Sequence, residues 1–450
     1  MTKLPLLLKI LYGIADLGFA LLISAVQFFL LYYYTDVAFV NPAIAGSALL
    51  VGKLTWDALN DPIFGYISDR TRSRFGRRRV YLLIGAIPLG ISAWILFSLP
   101  IGMGGAIAFI SVLFTFLLFD TFHTMTNVPY AAMTAELTYD YNERASLTSI
   151  RMIFSIVGYI LGAGATTVIA GLIGSKLGLS PQASWSGVGL IFGLIAIAVV
   201  MITAVTVKEP NAIEAQPTKI PPIRAVVTSF RNRPFVILLV VFFFASFSFT
   251  LMTSLVPYFI IYQLEMKEAV PTVLLVMLLS IMVFLIPIKH LSDRINKGPA
   301  YALGLMLASF AIFLAFFLPK GPTPLIYLLA VVAGMGFSGQ WVFPWSMVPD
   351  VVEYDQLLTG ERREGIYFGI WQFVQKLTNA LGVAVGGWSL AWFGYVANSA
   401  QTNFALLGIR LFFCIVPSLT LLIGLPMLFR YPITRSSHAK IVEELNLRQG

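Results

Sequence analysis

The chain reads as an all-α polytopic membrane protein, with about twelve transmembrane helices in two pseudo-symmetric six-helix halves. Three observations predict this. Of 450 residues, 58% are hydrophobic and only 11% charged, with a mean hydropathy of +0.85; soluble domains carry about 25% charged residues. Apolar runs of about 20 residues, the length that crosses hydrocarbon, recur between short polar loops. Loop features of the first half also return in the second, the mark of an internal repeat.

The apolar runs fall, in order, at 8–35, 42–69, 79–100, 104–136, 145–173, 185–207, 233–263, 268–290, 299–318, 323–351, 364–396 and 404–430. Several exceed 25 residues, which predicts tilt or extension beyond the bilayer. Lys3 and Lys9 precede a first run long enough to span, with no small-residue cleavage pattern, so that run is expected to stay as a helix rather than leave as a signal peptide. The formal net charge of +9 is dispersed among short loops and is not gathered on a polar domain. It therefore reads as membrane topology, and no nucleic-acid partner is expected. Cys414 is the single cysteine, which excludes an internal disulfide.

Basic residues set the expected orientation. Arg70, Arg72, Arg74, Arg77, Arg78 and Arg79 follow run two; Lys208, Lys219, Arg224, Arg231 and Arg233 lie between runs six and seven; Arg430, Arg435, Lys440 and Arg448 close the chain. Loops of the other parity hold only Lys176, Lys267 and Lys320. The positive-inside rule then places both termini in the cytoplasm, and the compact ends suit a bacterial inner membrane. The polar stretch 208–232 contains four prolines and mixed charge, as a linker does. It separates an N-terminal half (1–207) from a C-terminal half (233–430), with a tail at 431–450. Ser68-Asp69-Arg70 after run two matches Ser292-Asp293-Arg294 after run eight, and acidic-basic clusters follow both run four (135–146) and run ten (349–365). Parallel repeats of this kind are a transporter design.

Run two carries the most informative residues. Lys53, Asp57 and Asp61 lie in mid-run at helical spacing, so on a regular helix they share one face. A charge at bilayer depth costs about 2.5–3.5 kcal/mol on insertion scales. Paired carboxylates there can neutralise neighbours, hold a hard cation through oxygen, or share a proton. On run four, Asp120, His123, Thr124 and Asn127 form an i, i+3, i+4, i+7 stripe that cannot face lipid; helix–helix hydrogen bonding accounts for such a stripe equally well.

The twelve-run plan and the basic SDR loop resemble the major facilitator superfamily. YYYTDV (32–37), WDALNDPIFG (56–65), DRTRSRFGRRR (69–79) and NVPYAAMTAELTYDYNERASLTSIR (127–151) resemble, more closely, the glycoside-pentoside-hexuronide:cation symporters, the melibiose permease group. The resemblance, extended by Lys376, covers nearly the whole chain. It implies a major facilitator fold and uptake of a small solute, a sugar or glycoside, driven by a monovalent cation through alternating access. It also implies that Asp57, Asp61, Asn60 and Thr124 bind the coupling ion, Na⁺ or H⁺, with Asp57 and Asp61 as ligands if the ion is Na⁺. Sugar-binding members carry aspartates where this chain has Ala20 and Asn127; Asp16 stands one turn before Ala20. A galactoside-like geometry is thus altered, and a lysolipid or other amphipathic solute is the alternative cargo.

Further candidates are Arg151, either a donor to solute or the partner of an acid on run one or four, and Lys376, either neutralising the acid pair or snorkelling. Trp341 can stack on a sugar or an aliphatic chain, although most aromatics here read as packing or interfacial anchors. Asn127, Arg151, Trp341, Lys376 and Asp16 are therefore the expected solute contacts. Asp69, Arg70, Arg144, Glu136, Asp293, Arg294 and Asp350, together with Arg362, are expected to gate the cytoplasmic side by ion pairing. No catalytic or nucleotide-cradling motif is present, and His123, His290 and His438 are scattered. An enzyme is not expected, nor any cofactor beyond the coupling ion.

Overall fold

The structure, a computed structural model, describes residues 4–138, 141–209, 229–360 and 363–449, so most of the expected linker and Arg362 lie outside the described residues. All regular structure among these residues is helical. The helices are α1 (Leu6–Tyr32), α2 (Pro42–Gly52), α3 (Ala58–Arg70), α4 (Arg79–Leu96), α5 (Gly105–Leu137), α6 (Tyr141–Leu177), α7 (Pro181–Thr206) and α8 (Arg233–Tyr258). They continue with α9 (Val270–Ile295), α10 (Lys297–Ala315), α11 (Leu325–Thr359), α12 (Glu364–Trp392), α13 (Asn403–Arg410), α14 (Val416–Ile423), α15 (Leu425–Phe429) and α16 (Arg435–Gln449). Ten stretches among the described residues are long and apolar enough to span a membrane. The α2–α3 stretch and α12 are not among them; they carry Lys53, Asp57 and Asp61, and Gln375, Lys376 and Asn379.

The chain divides into two compact units, Met1–Ala215 with Leu390–Ala400, and Gln216–Ser389 with Gln401–Gly450. In the first unit α1 lies against α6 with almost nothing between the backbones. A methyl group built at Gly158 would overlap the carbonyl oxygen of Leu17, and one at Gly162 would overlap that of Leu21. Small residues at such positions let helices approach where lipid supplies no hydrophobic drive. The second unit repeats the device. Gly382 and Gly386 on α12, four residues apart like Gly158 and Gly162, sit against Thr250 and Ser254 of α8.

The repeat extends to the way helices end. α1 runs into a wide π turn, Tyr33–Val37, and Phe39 takes φ +57°. α8 runs into the π turn Phe259–Gln263, and Glu265 takes φ +54°. Matching amides close both turns: Ala38 N donates to Tyr33 O at 2.9 Å and Leu264 N to Phe259 O at 3.1 Å. In the first unit, buried Asp36 accepts hydrogen bonds from Tyr395 Oη (2.5 Å) and Thr35 Oγ1 (2.6 Å). Asn398 Nδ2 donates to the Asp36 carbonyl at 2.6 Å, so segment 390–400 is fastened through the YYYTDV block.

The arginine-rich loop after α3 is held by its own unit. Gly76, at φ +109°, turns the chain so that the amides of Arg77 and Arg78 donate to the Glu209 carboxylate at 2.7 Å, joined by the amide of Arg79. An acidic side chain distant in sequence thereby caps the N-terminus of α4. At the other end of the chain, the expected tail folds as α16, where His438 Nε2 lies 2.6 Å from Glu353 of α11.

Candidate functional site

Asn41 caps α2 by accepting from Ala43 N at 2.9 Å, with Pro42 in the first turn. The regular helix stops at Gly52. Residues Lys53–Asp57 form a π turn, α3 then begins, and Pro62 inside it removes one backbone donor. The sequence expectation of one straight helix face is thus corrected at Lys53. The wide turn inserts an extra residue per turn between Lys53 and the acids, whereas Asn60 and Asp61 lie in regular helix just beyond Asp57. Such bulges shift side-chain register and recur at functional sites. Irregular backbone at membrane depth is tolerated where protein buries it or where it lines a cavity.

The irregular stretch docks on α5. A methyl at Gly52 would lie 2.7 Å from the Phe116 ring, and Lys53 Nζ is 5.9 Å from that ring's centre. Trp56 Nε1 donates to Thr121 Oγ1 at 2.7 Å. Asn60, fully buried, donates through Nδ2 to Asp120 Oδ2 (3.0 Å) and to the Asp120 carbonyl (3.2 Å). Asp57 and Asp61 flank Asn60 and are half-buried. Thr124, 4% exposed, stands one turn beyond Asp120 on α5, and Asn127 follows it, half-buried. The structure therefore sets Asp120 and Thr121 of α5 against the acid-bearing stretch, while His123 of the same stripe lies edge-on to Phe19 of α1, 5.6 Å between ring centres. No group of three or more His, Cys, Asp or Glu suited to caging a metal occurs among the described residues.

Asp16 and Arg151, 135 positions apart, meet face to face. Arg151 Nε lies 2.7 Å from Asp16 Oδ2 and Nη2 lies 3.2 Å from Oδ1. Tyr130 Oη donates to the same carboxylate at 2.6 Å, and Thr134 Oγ1 accepts from Arg151 Nη1 at 2.7 Å. The guanidinium also lies 4.6 Å from the Tyr130 ring centre. Of the two sequence readings of Arg151, partnership with an acid on the first helix is what the geometry displays. Gly158 and Gly162 permit it, because their missing side chains bring α6 onto α1.

The other expected solute contacts lie in the second unit. Trp341 on α11 is 41% exposed and Lys376 on α12 is half-buried. Asn379, near Lys376, accepts from Thr250 Oγ1 at 2.9 Å and so serves α8–α12 packing. An apolar crevice in this unit is lined by Met252, Val256, Met277, Ile312, Ala330 and Phe413.

Among the described residues, Asp69, Glu136, Asp293 and Asp350 form ion pairs inside their own units. In the first, Arg78 binds Asp69 at 2.6 Å and Glu136 at 3.3 Å, and Arg77 also binds Glu136. Arg70 stacks 4.1 Å from the Tyr66 ring centre, and Arg144 Nη2 donates to the Thr138 carbonyl at 3.2 Å. In the second, Lys297 binds Asp350 at 2.6 Å and Lys289 binds Asp293 at 2.8 Å, while Arg294 is exposed at the end of α9. Residues that sequence reasoning passed over include Glu209, Asp36, Trp56 and the buried Asp355–Arg363 pair (2.7 Å). Of these, Asp36 and Trp56 stand inside the YYYTDV and WDALNDPIFG blocks and the Asp355–Arg363 pair inside the acidic-basic cluster at 349–365, whereas Glu209 carried no such signal.

Residues 11–435 match the family described as MFS/sugar transport protein. A putative glycoside/cation symporter of Escherichia coli is 30% identical over 93% of this chain and 90% of its own length. The sodium-dependent lysophosphatidylcholine symporter 1 of Mus musculus is 27% identical over 94% of this chain and 85% of its own. In fold, the chain is similar to a bacterial homologue of the human lysosomal transporter Spinster. That likeness has TM-score 0.72 and 16% identity, and covers 96% of this chain and 97% of that one. With its helical units, its repeated helix ends and a family match across nearly its whole length, the chain belongs to the MFS/sugar transport protein family and is a membrane symporter rather than an enzyme.

Proposed function

We propose that the protein carries a sugar or glycoside across the membrane with Na⁺ or H⁺, and that Asp57 and Asp61, with Asn60 and Thr124, bind the coupling cation. The observation that carries this reading is the α2–α3 stretch: two half-buried carboxylates flank a fully buried amide on an interrupted helix. Partial burial strengthens attraction for a cation, because the local dielectric is low. Asn127, Arg151, Trp341, Lys376 and Asp16 are the proposed solute-side residues, Arg151 and Asp16 acting as a preformed pair. Residues 1–207 and 233–430 are the proposed six-helix halves, 208–232 the linker and 431–450 the tail. The charged loops support cytoplasmic termini in a bacterial inner membrane. Asp69, Arg70, Arg144, Glu136, Asp293, Arg294 and Asp350 are the proposed gating charges.

Reconstituted protein is tested for solute accumulation driven by imposed Na⁺ or H⁺ gradients, beside Asp57→Cys and Asp61→Cys. Each variant is expected to lose concentrative uptake; full accumulation in both removes the cation assignment. An amphipathic lysolipid is the second reading. It is favoured by the closure of Asp16 on Arg151, which occupies polar groups otherwise open to sugar hydroxyls, and by the apolar crevice. Parallel glycoside and lysolipid panels separate the two.

A further inference from the structure

We propose that Asp120 is a positioning residue for the cation site: it fixes the Asn60 amide so that Asn60 Oδ1 is presented to the ion. The inference rests on the reading that Asp57 and Asp61 bind the cation, and adds a third carboxylate that touches no ion itself.

The orientation of the Asn60 amide follows from what faces it. Asp120 offers two acceptors, Oδ2 at 3.0 Å and its own carbonyl oxygen at 3.2 Å. A backbone carbonyl accepts and never donates, so the amide nitrogen must face Asp120 whatever the protonation of the carboxyl. The amide is planar, and Oδ1 therefore points away from Asp120. Among the described residues, Oδ1 is buried and has no hydrogen-bond partner, in a residue that is 0% exposed. A buried amide oxygen left unpaired costs about 1–3 kcal/mol. A cation held by Asp57 and Asp61, three residues before and one after, recovers that cost, since a carbonyl-type oxygen is a hard-cation ligand.

Asp120 is well placed for the task. It is 8% exposed on α5, and next to it Thr121 accepts from the indole of Trp56, so α5 grips the acid-bearing stretch at adjacent residues. A side chain that orients a ligand through its other polar atom commonly governs 10–100-fold of metal affinity. The Asp120 carbonyl keeps part of the hold when the carboxyl is removed, which places the expected loss at the low end.

The test uses the cation alone, because the solute is not needed. Purified protein in detergent is titrated with NaCl, with LiCl, and with protons, ionic strength being held with choline chloride. Calorimetry and tryptophan fluorescence report binding, Trp56 standing beside Asp57. Asp120→Ala and Asp120→Ser are too short to reach Asn60 and are expected to weaken binding of the effective cation about tenfold. Asp120→Asn keeps an acceptor oxygen without the charge and is expected to stay within about threefold of the parent protein, since an amide oxygen can still take the Asn60 proton. Two short variants guard against a single folding failure, and elution as one sharp species checks each. Unchanged affinity in both short variants overturns the proposal. So does equal weakening in Asp120→Asn, which would make Asp120 a field effect rather than a positioning contact. Asp57→Asn and Asp61→Asn run in parallel. If these leave cation binding intact, the cation-site reading itself falls; if they abolish it while the Asp120 variants bind normally, only the positioning role falls.

Discussion

Arg151 and Asp16 are expected to be strongly coupled energetically, and the structure sets the scale. The pair is bidentate, at 2.7 and 3.2 Å, and its side chains are 12% and 10% exposed. Tyr130 and Thr134 satisfy further valences of the same pair. Neutralising one member, by Asp16→Asn or Arg151→Gln, leaves the other charge buried without its counterion, at about 3–5 kcal/mol. Neutralising both leaves two amides that can still hydrogen-bond, and replacing a whole buried pair is often nearly neutral. The double variant should therefore be more stable than either single one. Thermal unfolding of the four purified proteins in detergent measures this, the coupling being read as non-additivity of the midpoints. A group whose main work is to contact solute would behave differently: Arg151→Gln would lose solute binding with little loss of stability, and the two shifts would add. Additive midpoints would refute the argument for a preformed pair.

Other consequences are equally open to measurement. Gly158→Ala should destabilise the protein by about 2 kcal/mol or more through overpacking against the Leu17 carbonyl. Gly164→Ala, on the same helix with open space around it, should be neutral or gain up to about 1 kcal/mol in helix propensity; equal melting shifts in the two would contradict the close-approach account. Glu209→Ala frees the capped amides of Arg77, Arg78 and Arg79, at about 1 kcal/mol. Limited trypsin digestion should then cut the loop at 71–79 faster, and an unchanged cleavage rate would mean that the cap is dispensable.

The apolar runs, the repeat and the acids in run two could all be read from the order of residues. The reason is that bilayer thickness demands a minimum apolar length, and a charge inside such a run is costly enough to stand out. The polar stripe on α5 was legible for the same reason, since a helix cannot turn Asp120, Thr124 and Asn127 toward hydrocarbon. Only the folded chain decided what those groups touch. Asp16 finds Arg151 because two glycines on α6 remove the atoms that would hold the helices apart, a contact that no local spacing encodes. The π turn at Lys53–Asp57 replaced the straight helix face that the i, i+4 spacing suggested; a backbone bulge is selected by packing on α5 and has no compositional mark. The aim of the Asn60 amide and the capping of α4 by Glu209 likewise depend on acceptors brought in by distant parts of the chain. Hydrophobic length is a property of a segment, whereas the direction of a hydrogen bond belongs to the pair of segments that tertiary packing brings together.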